Sequence, residues 1–275
     1  MELSQKKESQ DTHIQNHWQN NAMPTSLKIG IIGGSGMEDP AFINDYSSKA
    51  ISTPYGDPSS ELIIGKIADV PVAILSRHGP GHKINPTNVN YRANLWSLNE
   101  EGCTHILAVT ACGSLREKIQ PGHFVFPDQF IDLTSKRNCT YFEESDVQHV
   151  SMGEPFSAEL RKCLGQACVD LKFAHHDGGT VVTIEGPRFS TKAESILFRS
   201  WGCDVINMST VPEICLAREL KLEYQSIAMS TDYDSWHESK EEVTMEMIYA
   251  VMEKNVHHVK KLIEQTISLI KKNMG

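Results

Sequence analysis

Two carboxylates stand two residues apart in Ser230-Thr231-Asp232-Tyr233-Asp234, directly after the apolar run Ile227-Ala228-Met229. On an extended segment that spacing sends both side chains to one side. A carboxylate pair leaving a strand end can hold one proton between two acids, or accept hydrogen bonds from two edges of a planar ligand. A purine with an exocyclic amine offers such edges at N7 and at its 6-amino group. Asp-x-Asp also serves as solvated turn chemistry and as a metal-ligand pair, so the two residues alone do not choose among these readings.

Four other segments supply donors suited to one anion. Gly33-Gly34-Ser35-Gly36 follows the apolar run Lys28–Ile32, and glycines there let successive N–H groups turn inward while Ser35 adds a hydroxyl. A dinucleotide fingerprint needs a third glycine three residues after Gly36, where Asp39 stands; a plain tight turn is the other reading. In Arg77-His78-Gly79 a guanidinium can fork onto phosphate oxygens and the imidazole can donate a further bond, although a surface arginine in a loop fits the same tripeptide. His82 has the spacing from His78 of a helical metal pair, but Gly79-Pro80-Gly81 breaks that helix, and no metal site is expected.

In Asn207-Met208-Ser209-Thr210-Val211-Pro212-Glu213, Thr210 and Glu213 fit a capping box with Pro212 in the first turn. Ser209 then sits just ahead of a helix N-terminus, where free N–H groups favour an anion. Ala111-Cys112-Gly113-Ser114 reads as a small-residue loop after a strand that ends at Thr110, and Thr110-Ala111-Cys112-Gly113 has a hydroxyl and a backbone N–H to offer. No Gly-Lys-Ser/Thr follows a glycine loop, so the anion is expected to be free phosphate rather than part of a nucleoside triphosphate.

The elements that position these groups alternate between strand and helix. Strands are expected at Leu62–Ile67 and Val72–Leu75 with a tight turn near Asp69, and at Thr104–Thr110, Thr180–Ile184, Val205–Met208 and Tyr224–Met229. Helices are expected at Asn90–Leu98, Ala158–Leu171, Thr191–Trp201 and Val211–Leu220, the last closing a βαβ unit. Ile248, Val251, Met252, Val256, Val259, Leu262, Ile263, Ile267 and Ile270 mark one face of a long C-terminal helix. The pattern is that of a single α/β domain, residues 26–275, with a mixed central sheet flanked by helices. The polar stretch Lys136–Val150 reads either as a mobile loop over a site or as an ordinary surface loop.

Composition narrows the function classes. A formal net charge of −9 over 275 residues argues against a general nucleic-acid or anionic-membrane binder. No apolar run approaches the roughly 20 residues of a membrane span. Seven scattered cysteines with no Cys-x-x-Cys pair suit reduced thiols in a cytoplasmic protein, with nuclear presence also allowed. Residues 1–25, polar and Gln/Asn-rich, are expected to be a disordered tail.

Taken together, IGIIGGSG, SRHG, VNYRANLW, TACGSLRE, VTIEGPRFST, NMSTVPE and STDYDSW resemble the methylthioadenosine phosphorylases of the trimeric purine nucleoside phosphorylase superfamily, over about Lys28 to Ile270. The resemblance implies phosphorolysis of 5′-deoxy-5′-methylthioadenosine to adenine and 5-methylthioribose 1-phosphate, with inorganic phosphate as co-substrate and no cofactor. It implies phosphate contacts from Ser35, Arg77, His78, Thr110, Ala111 and Ser209, and a ribose over Met208. Adenine would be read by Ser190, Asp232 and Asp234. The methylthio group would meet His82, Met245 and Ile248, with His149 reaching over from a neighbouring subunit of a homotrimer.

Several features depart from the family pattern. Relatives often carry Thr where Ser35 and Ser209 stand, NMSTVPE resembles the 6-oxopurine branch at one position, and relatives often continue further beyond Ile270. A phosphorylase for adenosine or 6-oxopurine nucleosides is the alternative of the same class; the 6-oxopurine branch resembles Asn at the Asp232 position and Glu at the Ser190 position. A nucleoside-binding protein without turnover is the alternative of a different class.

Overall fold

The computed structural model describes residues 26–33, 43–142, 147–238 and 245–274, with side chains in the last segment described from Asn255 onward. Residues 1–25 and Ser35 therefore lie outside the described residues. The strands are β1 (Ile29–Gly33), β2 (Asn44–Lys49), β3 (Leu62–Ile67), β4 (Val70–Ser76), β5 (His105–Ser114), β6 (Phe124–Phe126), β7 (Gln129–Leu133), β8 (His175–Asp177), β9 (Thr180–Ile184), β10 (Val205–Asn207) and β11 (Glu223–Tyr233). The helices are α1 (Tyr91–Glu100), α2 (Ala158–Leu171), α3 (Lys192–Ser200), α4 (Thr210–Glu219) and α5 (Met245–Met274).

All these strands join one mixed sheet, in the order β2-β3-β4-β1-β5-β10-β9-β7, with β11 on the other edge of β5 and β6 and β8 beyond it. Alternation along the central strands divides their apolar side chains between two faces. Ile106, Ala108, Tyr224 and Ala228 pack with Leu95, Trp96 and Leu98 of α1 and with Ile214 and Leu216 of α4. Leu107, Val109, Ile227 and Met229 face the other way, onto Leu160, Leu164 and Ala167 of α2 and Val259, Leu262, Ile263 and Ile267 of α5. Period-2 strands between period-3.6 helices thus give a three-layer core.

Local signals set several boundaries. β3 and β4 form a hairpin whose turn residues, Ala68 and Asp69, are both left-handed, as a two-residue turn of this kind requires. Asn90 caps α1 by accepting from Ala93 N–H, and Thr191 with Glu194 forms a full capping box on α3.

Three expectations fail, each for a tertiary reason. Ala111-Cys112-Gly113-Ser114 is not a loop, because β5 runs to Ser114, paired with β11 along its length and with β10 at its end. Val205–Leu220–Met229 is not a parallel βαβ unit: β10 runs antiparallel to β5, β11 runs parallel to it, and the two flank opposite edges. Glu213 does not close a capping box. α4 begins at Ser209 without a side-chain cap bond, and the Glu213 carboxylate is taken by Arg77 and Tyr224.

Candidate active site

The site lies where the sheet changes partner. On one edge of β5, β1 pairs as far as Ala108 and β10 begins at Gly113. Among the described strands none pairs that edge at Val109–Cys112, so backbone groups there are left for other partners, and a crevice opens. One cavity is lined by Arg77, His78, His82, Thr110, Ala111, Ser190, Met208, Ser209, Asp232 and Asp234, all expected from the sequence. Ile184, Phe189, Ile206, Val256 and Val259 add an apolar wall.

The carboxylate end is built by an irregularity in β11. Ser230 faces Cys112 and Asp232 faces Gly113, so Thr231 is an extra residue whose bulge re-aims the end of the strand. The Thr231 hydroxyl donates to Asp232 at 2.7 Å, and Ser190 donates to Asp234, 2.7 and 2.6 Å from its two oxygens. Gly113 makes room for both acids: a Cβ there would come within 3.2 Å of Asp234 Cβ and 3.4 Å of Asp232 Oδ2. Burial pushes the Asp232 carboxyl up to about 6, the Thr231 hydroxyl works against this, and the nearby Asp234 adds to it. An acid held there keeps a usable proton near neutrality.

The donor end is arranged differently from the expectation. The Arg77 fork is engaged inside the protein, with Nε and Nη2 donating to Glu213, while Nη1 donates to Val109 O at 2.7 Å on the open edge of β5. Arg77 is 2% exposed and Glu213 fully buried. Burial opposes the Arg77 charge, but the Glu213 carboxylate outweighs it and holds the guanidinium protonated. Each terminal nitrogen keeps an N–H beyond these bonds, so Arg77 can still present two donors to an anion. Thr110 and Ser209 join hydroxyls at 2.8 Å, bringing β5 and the start of α4 together.

His78 donates from Nδ1 to Ile84 O at 2.8 Å, which fixes its tautomer. Burial and then the neighbouring Arg77 lower its basicity to about 3, so the ring is neutral and Nε2 presents a lone pair. The expected donor to phosphate is, in this state, an acceptor. His82 stacks on the same ring at 4.2 Å, and among the described residues no group of His, Cys, Asp or Glu is placed to hold a metal ion.

Not every expected residue falls in the cavity. His149 is exposed and outside its lining. Met245 and Ile248 fall on the first turn of α5, where the side chains lie outside the described residues, as does the whole of Ser35. The stretch Lys136–Val150 is neither plain surface nor free over the site at its start, since Arg137 and Tyr141 are buried there. Sequence reasoning missed Glu213 as the partner of Arg77, and Tyr224 as the second donor to Glu213, because 136 residues separate the ion pair and Glu213 carries a competing cap signal. It also missed Arg137 and Glu185, which no local pattern marks.

Comparison with known proteins shows the family. Residues 28–268 match the Phosphorylase superfamily, and the chain belongs to that family. It is 51% identical over 249 residues to an S-methyl-5′-thioadenosine phosphorylase of Danio rerio, covering 89% of each chain. An enzyme of the same name from Xenopus tropicalis is 49% identical, with 89% of each chain covered. Among solved structures, methylthioadenosine phosphorylase from Schistosoma mansoni in complex with adenine has a TM-score of 0.86 at 41% identity, covering 90% of this chain and 93% of that one. A mutant of the Schistosoma mansoni adenosine/methylthioadenosine phosphorylase in complex with methylthioadenosine has a TM-score of 0.85 at 40% identity, covering 90% and 92%.

Proposed function

We propose that this chain is a pentosyltransferase that catalyses phosphorolysis of 5′-deoxy-5′-methylthioadenosine, giving adenine and 5-methylthioribose 1-phosphate. One observation carries the reading. A single cavity holds a buried carboxyl pair beside Gly113 and a cluster of donors at Arg77, Thr110 and Ser209. Thr110 precedes Gly113 by three residues of β5, about 10 Å of strand. That span leaves room for a ribose, lying over Met208, between a leaving base and an attacking phosphate.

Inorganic phosphate is the co-substrate in this reading, and no metal or organic cofactor takes part. Its negative charge, held by Arg77, Thr110, Ala111, Ser209 and Ser35, stabilises the ribosyl cation as the glycosidic bond breaks. Asp232 gives its proton to adenine N7, which makes the base a neutral leaving group. Asp234, oriented by Ser190, accepts from the 6-amino group. His82, Met245 and Ile248 surround the methylthio group.

The protein works as a cytoplasmic homotrimer, with His149 completing a neighbour's pocket. The exposure of His149 away from its own cavity is compatible with that role. Apolar side chains at the surface of α3 and at Phe189, which also lines the cavity, support a covered mouth. Among the described residues no helix is long and apolar enough to cross a membrane.

Adenine release, followed by chromatography with and without phosphate, tests the activity. Release from methylthioadenosine that depends on phosphate is expected. Faster release of hypoxanthine from inosine would assign the chain to 6-oxopurines, and nucleoside binding with no release would make it a binding protein.

A further inference from the structure

We infer that Arg137 is a positioning residue for the nucleoside, acting with Glu185 as a latch that sets three segments of the cavity wall against one another. The inference rests on the phosphorolytic reading above, but it concerns residues that lie outside the cavity. Arg137 sits on the loop after β7 with its side chain only 1% exposed. Its Nε donates to Glu185 Oε1 at 2.9 Å, and Nη2 donates to the Glu185 carbonyl at 2.6 Å. Nη1 reaches the carbonyls of Met208 and Val211, each at 2.7 Å, and the Tyr91 hydroxyl at 3.1 Å.

These bonds converge on the wall from behind. The Tyr91 hydroxyl donates to Pro86 O at 2.9 Å, and Thr87 donates to Glu185 Oε1 at 2.9 Å, which ties in the Pro86–Asn88 turn. Glu185 opens the segment that leads to Ser190, while Met208 precedes Ser209. Gly186, in a left-handed conformation, lies so close to Met208 that a Cβ would come within 2.5 Å of its sulfur. The Glu185 carboxylate is held down to about 2: burial alone would raise it, but hydrogen bonds from Ser135, Arg137 and Thr87 outweigh this. Glu185 is therefore charged throughout the neutral range.

A clamp made only for stability would be served as well by apolar packing, because burying charges is costly. A satisfied polar network instead fixes one geometry. The planar fork of arginine spans these partners, whereas lysine offers a single point of attachment.

The test compares Arg137→Lys, Arg137→Ala and the wild-type full chain for methylthioadenosine KM, phosphate KM, kcat and melting temperature. Losing bonds to a charged group should raise the methylthioadenosine KM by about tenfold or more. Phosphate KM should rise clearly less than the methylthioadenosine KM, because Arg77 is anchored separately by Glu213 and Val109, and only Ser209 of the phosphate donors lies between the two carbonyls that Arg137 holds. Added guanidinium should restore part of the methylthioadenosine KM of Arg137→Ala without changing its phosphate KM. Parallel losses in both KM values and in melting temperature, with no guanidinium rescue, would overturn the inference and leave Arg137 as a folding residue. Wild-type chain without phosphate-dependent release would instead count against the reading of the activity.

Discussion

Asp232 combines a burial-raised acidity with a position at the end of a ligand cavity, and its proton has consequences for both rate and stability. The free protein holds that proton at pH values below about 6. Since the reaction needs the protonated acid, kcat/KM for methylthioadenosine should fall as pH rises through about 6, and Asp232→Asn should remove that limb. Stability should move the same way. The folded value lies above the ordinary carboxylate value of about 3.9, so the folded state takes up protons first and gains stability as pH drops from about 6 towards 4. Losing a general acid costs typically about 10²–10⁴ in rate, and the amide should also favour 6-oxo over 6-amino substrates. Measuring kcat/KM on both substrate types at saturating phosphate checks this; equal losses would mean that Asp232 only holds the strand end. Arg77 calls for a different substitution. Arg77→Ala strands the Glu213 carboxylate in the core, at a cost of about 3–5 kcal/mol, so its kinetics would mix folding with binding. Arg77→Lys keeps the charge and loses the fork, and its phosphate KM should rise about tenfold. An unchanged value would remove Arg77 from the phosphate site.

Strand and helix types were legible because their signals are local: α2 and β9 fall where periodicity places them, and Asn90 and Thr191 cap as their residue types imply. What resisted reading is set by partners distant in sequence. The small residues Ala111–Ser114 look like a loop, yet they extend β5 because β11 and β10 claim their backbone groups. Asp232 and Asp234 were found by spacing, but the bulge at Thr231 that aims them, and the direction of β10, depend on register alone. Gly113 joins these facts. Its small size on β5 is what lets the β11 carboxyls and Ile206 approach, and an added methyl would meet Ile206 Cγ2 at 3.1 Å and Asp234 Cβ at 3.2 Å. Gly113→Ala should therefore displace the acids by a fraction of an ångström while leaving Thr110 and Arg77 in place. A displacement of about 1 Å can cost roughly 10²-fold in rate, so a fall in kcat of about tenfold or more is expected with little change in phosphate KM. Overpacking should also cost about 1–3 kcal/mol in a denaturant titration. Full activity in Gly113→Ala would show that the carboxyls tolerate movement and do not act in a fixed pose.

Beyond the single chain, the cavity wall continues onto an apolar surface. Phe189 lines the cavity and remains 36% exposed, and α3 follows at once with Ile196 at 52%, Leu197 at 44% and Trp201, just after the helix, at 49%. Large side chains exposed in succession beside a site are better explained by a covering partner than by solvent. The proposed trimer supplies that partner, with His149 of one subunit reaching the 5′ end of another's cavity. Leu197→Glu should separate these two levels of structure. The position is exposed in one chain, so the charge should cost the isolated subunit within about 0.5 kcal/mol, whereas an interface would have to bury it. Sedimentation should then show three-chain particles for wild type and single chains for the variant, with the melting behaviour of the isolated subunit preserved. Methylthioadenosine turnover should fall with assembly, because a lone chain leaves the methylthio group open to water. Leu197→Ala, which adds no charge, should still assemble and work at concentrations where Leu197→Glu does not. A single-chain Leu197→Glu with full turnover would mean that the cavity is complete within one subunit, and would leave His149 as a surface residue of its own loop.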